Sequence, residues 1–272
     1  MDAAGARVLV TGAARGMGRL YVERAIREGA SAVHAWDFDA EGLVSLSALF
    51  TAHPDIHTSS TTVDIADASS VVAAAEKLPR ESVDILINNA GIVRGNSLFV
   101  DADPADLART IAVNLTGHML VTRQLLPAMI ESKRPARIVT VASAAALTPN
   151  PRMAAYAASK AGVASWSESL RVELAASGVR HVKVTTVYPS YVATGMFAGA
   201  RGPLLTPIGD PEAVVDAGWR AMLAGRPSLL LPPSVHLAKV LRGVLPAKAY
   251  DLVAGRLFGV YSSMDHFTGR PE

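Results

Sequence analysis

Short apolar runs alternate along this chain with longer stretches in which apolar residues recur every three or four positions. Seven runs stand out: RVLVT at 7–11, SAVHAWD at 31–37, TSSTTVD at 58–64, DILIN at 84–88, RIVTVAS at 137–143, VKVTTVY at 182–188 and SLLLP at 228–232. Most are apolar throughout instead of alternating, the pattern of parallel strands covered by helices on both faces. Between them the pattern predicts helices over 16–28, 68–78, 104–131, 153–177 and 211–224. Strands and helices in alternation predict an α/β domain with a doubly wound parallel sheet of about seven strands. No repeat or low-complexity linker divides residues 1–272, so one domain is expected, with 195–272 supplying a substrate loop and a C-terminal extension within it.

Composition acts mainly by exclusion. Half of the 272 residues are apolar, enough for one large core. Basic and acidic side chains nearly balance, at a formal +2, and are scattered, so nothing tracks a phosphate backbone and nucleic acid is not an expected partner. The absence of cysteine excludes disulfides and thiolate metal sites and suits a reducing compartment. The N-terminal MDAAGARVLV lacks a signal-peptide pattern, and no apolar stretch runs long enough to span a bilayer, so a soluble, cytoplasmic protein is expected. The seven histidines have no carboxylate partners at metal-ligand spacing, so no metal site is expected.

The first chemical signal is TGAARGMG, Thr11 to Gly18, which follows an apolar strand and opens a helix. In that setting Gly12 can turn sharply, Gly16 lets the backbone approach a pyrophosphate, and Gly18 permits close helix packing. The helix N-terminus then offers free N–H groups to the anion. Arg15 is read either as a phosphate contact or as part of a solvated turn. SAVHAWD ends at Asp37, near the roughly 20-residue offset at which a carboxylate accepts hydrogen bonds from an adenosine ribose.

A second signal lies in AYAASK. Tyr156 and Lys160, four apart, share one helix face. A phenol has a reference pKa of about 10 and is a poor base near neutrality unless a cation stabilises the phenolate. The lysine, together with a bound nicotinamide cation, is expected to supply that stabilisation. Ser143, at the end of RIVTVAS, falls where parallel strands open onto a ligand crevice, and its hydroxyl can hold the same substrate oxygen.

With these motifs the sequence resembles the short-chain dehydrogenase/reductase family, across nearly its whole length. The resemblance implies a Rossmann fold. TGAARGMG, with Met17, is similar to the family's nucleotide motif; VDIAD places Asp64 and Ile65 near the adenine; and NNAG at 88–91 is similar to the segment stabilising the central sheet, with Asn88, Ala90 and Gly91 as implied cofactor contacts. By resemblance, Asn114, Ser143, Tyr156 and Lys160 form a catalytic tetrad, in which Asn114 holds a water linking Lys160 to solvent. YPSYVATGM resembles the segment gripping the nicotinamide carboxamide, through Pro189, Val192 and Thr194, with Ser190 where a glycine is usual. The implied reaction is hydride transfer between nicotinamide and a secondary alcohol or ketone. A sugar-nucleotide epimerase and a dinucleotide-sensing regulator without turnover are the alternatives.

Asp37 would repel a 2′-phosphate, so NAD is expected over NADP, against the opposing pull of Arg15. Trp166 and Met119 lie on predicted helices as core or subunit-packing residues, and the resemblance implies a homodimer or homotetramer. TGMFAGAR and the leucine-rich stretch beyond Ser228 are similar to the retinol and 17β-hydroxysteroid dehydrogenase branch. That likeness implies a bulky hydrophobic alcohol or ketone as substrate. The stretch is read as a lid or docking segment, or as cover for a core edge or subunit interface.

Overall fold

The computed structural model describes residues 1–79, 83–204 and 206–269. Strands β1 (Arg7–Thr11), β2 (Ala32–Asp37), β3 (His57–Thr62), β4 (Ile85–Asn88), β5 (Ala136–Val141), β6 (Val182–Pro189) and β7 (Ser228–Leu231) pair in parallel in the order β3-β2-β1-β4-β5-β6-β7. Helices α1 (Gly16–Arg27), α2 (Ala40–Val44), α3 (Ser47–Thr51), α4 (Ala68–Glu76), α5 (Pro104–Ile111), α6 (His118–Glu131), α7 (Ala154–Ala176), α8 (Pro211–Leu223), α9 (Ser234–Val244) and α10 (Ala247–Asp251) complete the α/β domain.

The period of two along each strand builds a core on either side of the sheet. Val8 and Val10 join Tyr21, Val22, Trp219 and Met222 beneath α1 and α8. Leu9, between them in sequence, joins Trp36, Leu86, Leu125, Met129 and Leu170 beneath α6 and α7. Both faces are therefore dry, which is why β1, β4 and β5 read as continuous apolar runs. Edge strand β3 pairs only with β2 and is polar, HTSSTT. Its Ser59 hydroxyl meets Nδ1 of buried His34 at 2.8 Å.

Three local differences from the sequence expectation bear on the site. The predicted helix 104–131 is broken by a π-helical turn at Ala112–Gly117, which widens the backbone around Asn114. The strand predicted to reach residue 143 stops at Val141, and Ser143 turns the chain by accepting a hydrogen bond from Ala145 N at 3.1 Å. The strand predicted over 58–64 stops at Thr62, leaving Asp64 in the loop that follows. Strand order reverses between β1 and β4, and at such a switch point a crevice opens at the carboxyl ends of the strands.

Candidate active site

That crevice is a cavity of about 560 Å³. At one end the glycine loop brings backbone against backbone. Gly12 has φ +67°, and a Cβ there would lie 2.8 Å from Ala90 Cα; a Cβ at Gly18 would lie 1.8 Å from the Gly12 carbonyl oxygen. Arg15, the residue before α1, makes no side-chain cap, so the helix's first N–H groups remain for an anion. Asp37 is fixed at the wall: its Oδ2 accepts from Ala14 N at 2.8 Å and its Oδ1 from Asp39 N at 2.9 Å. Close-approach glycines, an uncapped helix start and an oriented carboxylate fit the pyrophosphate and ribose of a dinucleotide.

Two ion pairs border the same end. Arg15 Nη2 meets Asp39 Oδ2 at 2.6 Å. Arg109 grips Asp64 with both terminal nitrogens, at 2.9 and 3.1 Å, and its guanidinium lies 5.8 Å from the Phe38 ring centroid.

At the other end Tyr156 and Lys160 project from α7, both buried. Burial pushes the Tyr156 phenol up to about 12, against the downward pull of a hydrogen bond with Ser143. The lysine does not reverse this: its Nζ lies 5.9 Å from the Tyr156 ring centroid and donates to the Val141 carbonyl at 2.9 Å. Burial also lowers Lys160, to about 8. Burial thus outweighs the lysine, and a further positive charge beside the phenol would pull it down.

Asn114 lies behind this wall. Its Oδ1 accepts from Ile92 N at 2.8 Å, and its Nδ2 donates to Ile92 O at 2.9 Å and Ser159 Oγ at 3.1 Å. A Cβ on Gly91 would sit 3.3 Å from Asn114 Oδ1 and 3.4 Å from Lys160 Nζ, so only glycine fits comfortably between them. One helical turn on, His118 is fully buried and lowered to about 3, first by desolvation and then by the Lys160 charge. It is neutral, and its Nε2 faces the Ala90 carbonyl at 2.7 Å.

Of the residues predicted from sequence, Gly12, Arg15, Gly16, Met17, Asp37, Asp64, Ile65, Ala90, Gly91, Ser143, Tyr156, Lys160, Pro189, Val192 and Thr194 border the cavity. Gly18 and Asn114 lie behind it, packed against residues that do. Asn88 does not border the cavity. Its side chain is buried away from the cavity and donates to Thr122 Oγ1 at 2.8 Å, while neighbouring Asn89 lines the wall and donates to Thr11 O at 3.0 Å and Gly12 O at 3.2 Å. Strand alternation was the available signal, because adjacent residues face opposite sides. Phe38, Asp39 and Arg109 also line the cavity and were not singled out from sequence.

A smaller chamber of about 80 Å³ adjoins the reacting end, sharing Ser143, Tyr156, Ser190 and Phe197 with the main cavity. Met153, Tyr191, Val235, Ala238 and Val260 line it as well, with Thr148, Asn150, Thr206 and Ser234 as polar positions in the same wall. Phe197 stands edge-on to both Tyr156 and Tyr191, with centroids 5.9 and 5.3 Å away. The loop carrying Phe197 is joined to the tail, since Ala198 O accepts from Thr268 N at 2.9 Å and Gly269 N at 3.2 Å.

A cleft shaped for a dinucleotide, ending at a buried tyrosine, serine and lysine beside an apolar chamber, defines a nicotinamide-dependent oxidoreductase. Residues 6–203 match the short chain dehydrogenase family, and the chain belongs to it. It is 34% identical to retinol dehydrogenase 10-A of Danio rerio over 90% of this chain and 80% of that protein. It is 32% identical to estradiol 17-beta-dehydrogenase 11 of Rattus norvegicus over 93% of this chain and 84% of that one. A solved short chain dehydrogenase from Burkholderia cenocepacia J2315, in complex with NADP, is 27% identical, with a TM-score of 0.74 over 94% of this chain and 96% of its own. The protein is an NAD(P)-dependent oxidoreductase acting on CH–OH groups; the regulator and epimerase readings are not favoured. Among the described residues no group of three or more His, Asp or Glu could hold a metal, and no helix is long and apolar enough to cross a membrane.

Proposed function

We propose that this chain oxidises or reduces a bulky hydrophobic secondary alcohol or ketone, with NAD as coenzyme, through Asn114, Ser143, Tyr156 and Lys160. The observation that carries this is the position of Tyr156, which borders both the dinucleotide cavity and the apolar chamber. The coenzyme, when bound, takes or supplies the hydride. Tyr156 moves the accompanying proton, giving it to the developing alkoxide in reduction and taking it from the hydroxyl in oxidation. Ser143, close enough to the phenol to pull it down, holds the reacting oxygen. Lys160 adds positive charge beneath the phenol, and Asn114, just across Gly91, holds the water that returns its proton to solvent.

Gly12, Arg15, Gly16, Met17, Asp37, Asp64, Ile65, Asn89, Ala90 and Gly91 would bind the adenosine and pyrophosphate half, with Gly18 supporting the loop. Pro189, Val192 and Thr194 would hold the nicotinamide half. The fixed Asp37 and the engagement of Arg15 by Asp39 favour NAD over NADP. The apolar chamber, and the retinol and estradiol dehydrogenases among the relatives, support a hydrophobic substrate. The lack of cysteine fits the cytoplasm, and half-buried Met119 and Trp166 on α6 and α7 fit a homodimer or homotetramer. Nicotinamide absorbance with secondary alcohols graded by size and polarity tests the substrate. Higher kcat/KM for short polar diols or sugars than for large apolar alcohols would overturn it.

A further inference from the structure

Asn114, His118 and Thr122 recur every four residues, from the π-helical turn at Ala112–Gly117 into α6. Each meets a different residue of the segment that leaves β4. Asn88 Nδ2 donates to Thr122 Oγ1 at 2.8 Å, and His118 Nε2 meets the Ala90 carbonyl at 2.7 Å. Ile92 N donates to Asn114 Oδ1 at 2.8 Å, while Asn114 Nδ2 donates to Ile92 O at 2.9 Å. Four residues of helix and two of extended chain advance by nearly equal lengths, about 6 and about 6.6 Å, so contacts of this spacing repeat along both. Residues 88, 90 and 92 thus hang on three successive rungs.

The middle rung bears on the cavity. Ala90 and Gly91 line it, and a Cβ on Gly91 would sit 3.3 Å from Asn114 Oδ1 and 3.4 Å from Lys160 Nζ. A carbonyl only accepts, so the His118 ring carries its proton on Nε2. That leaves Nδ1 a bare acceptor, buried and, among the described residues, without a hydrogen-bond partner. An apolar side chain would fill the same space without burying an unpaired nitrogen, but it would leave the Ala90 carbonyl with no donor. From the other side Ala90 N donates to Thr11 Oγ1 at 3.2 Å, so Ala90 is gripped at both its N–H and its carbonyl. Being neutral, the ring does this without setting a second cation near Lys160.

We propose that His118 is a positioning residue for the coenzyme: through the Ala90 carbonyl it fixes the Ala90–Gly91 wall that borders the dinucleotide and separates Asn114 from Lys160. The role concerns the dinucleotide half of the cleft and holds whichever alcohol or ketone is the substrate.

Two amide replacements isolate the donor. In glutamine the side-chain nitrogen falls where the ring's Nε2 stands, whereas in asparagine it falls short, where Nδ1 stands. The full chain carrying His118→Gln or His118→Asn is titrated with NADH and with NADPH, followed by nicotinamide fluorescence. The glutamine variant should bind within about three-fold of wild type, and the asparagine variant about ten-fold or more weaker. Loss of the ring's packing alone would weaken both alike. Thr122→Val removes only the outer rung to Asn88, and should stay within about three-fold of wild type. Nitrogen NMR of the histidine-labelled wild type reads the bond with no variant: at neutral pH His118 should be neutral, with its proton on Nε2. Equal affinity of the glutamine and asparagine variants overturns the proposal. So does a loss in Thr122→Val as large as that in His118→Asn, or a wild-type ring that carries its proton on Nδ1.

Discussion

Arg15 and Asp39 pair at 2.6 Å beside the glycine loop, two residues from the carboxylate of Asp37, whose oxygens both accept backbone N–H groups. Arginine is thus occupied where a 2′-phosphate would need it. A phosphate charge about 4 Å from Asp37 costs about 4 kcal/mol at a near-surface dielectric, whereas an exposed arginine returns about 1 kcal/mol. The wild type should favour NAD by at least about ten-fold in kcat/KM, a difference of about 1.4 kcal/mol. Asp37→Ala should narrow the gap, and Asp39→Asn, by releasing Arg15, should raise NADP use. A wild type that favours NADPH would show that Arg15 governs the site.

Tyr156→Phe removes the proposed proton carrier and leaves the cleft's shape intact. Turnover should fall by roughly a hundred- to ten-thousand-fold. Dinucleotide affinity, followed by nicotinamide fluorescence, should stay within a few-fold of wild type. A near-normal rate would remove Tyr156 from the mechanism.

Lys160 is lowered to about 8 by burial, so its cation is lost as pH rises through that value. Tyr156 is already held up at about 12. Below about pH 8 the lysine puts a cation beside the phenol, and by removing it Lys160→Ala should move the pH profile of oxidation to more alkaline values and slow it. An unmoved profile would mean that the lysine serves only to hold the Val141 carbonyl.

Gly18→Ala puts a methyl group where the Gly12 carbonyl oxygen stands, since the added Cβ would lie 1.8 Å from it. Backbone cannot yield as a flexible side chain can. Dinucleotide binding should be lost, with destabilisation of about 3 kcal/mol or more. Calorimetry and cofactor titration read the two effects separately.

His34 is lowered to about 4, chiefly by desolvation and then by the nearby charges of His57 and Arg7. The unfolded chain binds its proton near 6.5, so the unfolded state takes up more protons between those values. The stability associated with neutral His34 is present above about pH 6.5 and lost as pH falls toward 4, by up to about 3 kcal/mol. Urea titrations across that range should show the decline, and His34→Gln should flatten it.

What could be read from sequence depended on how local the signal was. The interior strands declared themselves because burial on both faces demands unbroken apolar residues. The glycine loop is a run of consecutive residues from β1 into α1, and Tyr156 and Lys160 lie one turn apart on α7, so spacing alone brings each set together. The Arg15–Asp39 and Arg109–Asp64 pairs join residues 24 and 45 positions apart, and only the folded loops bring them into contact. The π-helical turn at Asn114 was hidden for another reason: one wider turn hardly disturbs an apolar period read over 28 residues. Asn88 and Asn89 differ only in the face each presents, a distinction lost once the four-residue motif is read as a unit.

The bond from the tail to Ala198 couples two segments more than sixty residues apart in the chain. Phe197, one residue from that carbonyl, stands against Tyr156, while Phe267, one residue from its donor, borders the cavity. Neither segment can swing outward alone without giving up these hydrogen bonds. A change in the tail therefore reaches the wall beside the reacting tyrosine through two backbone bonds, although nearly seventy residues separate the segments in sequence.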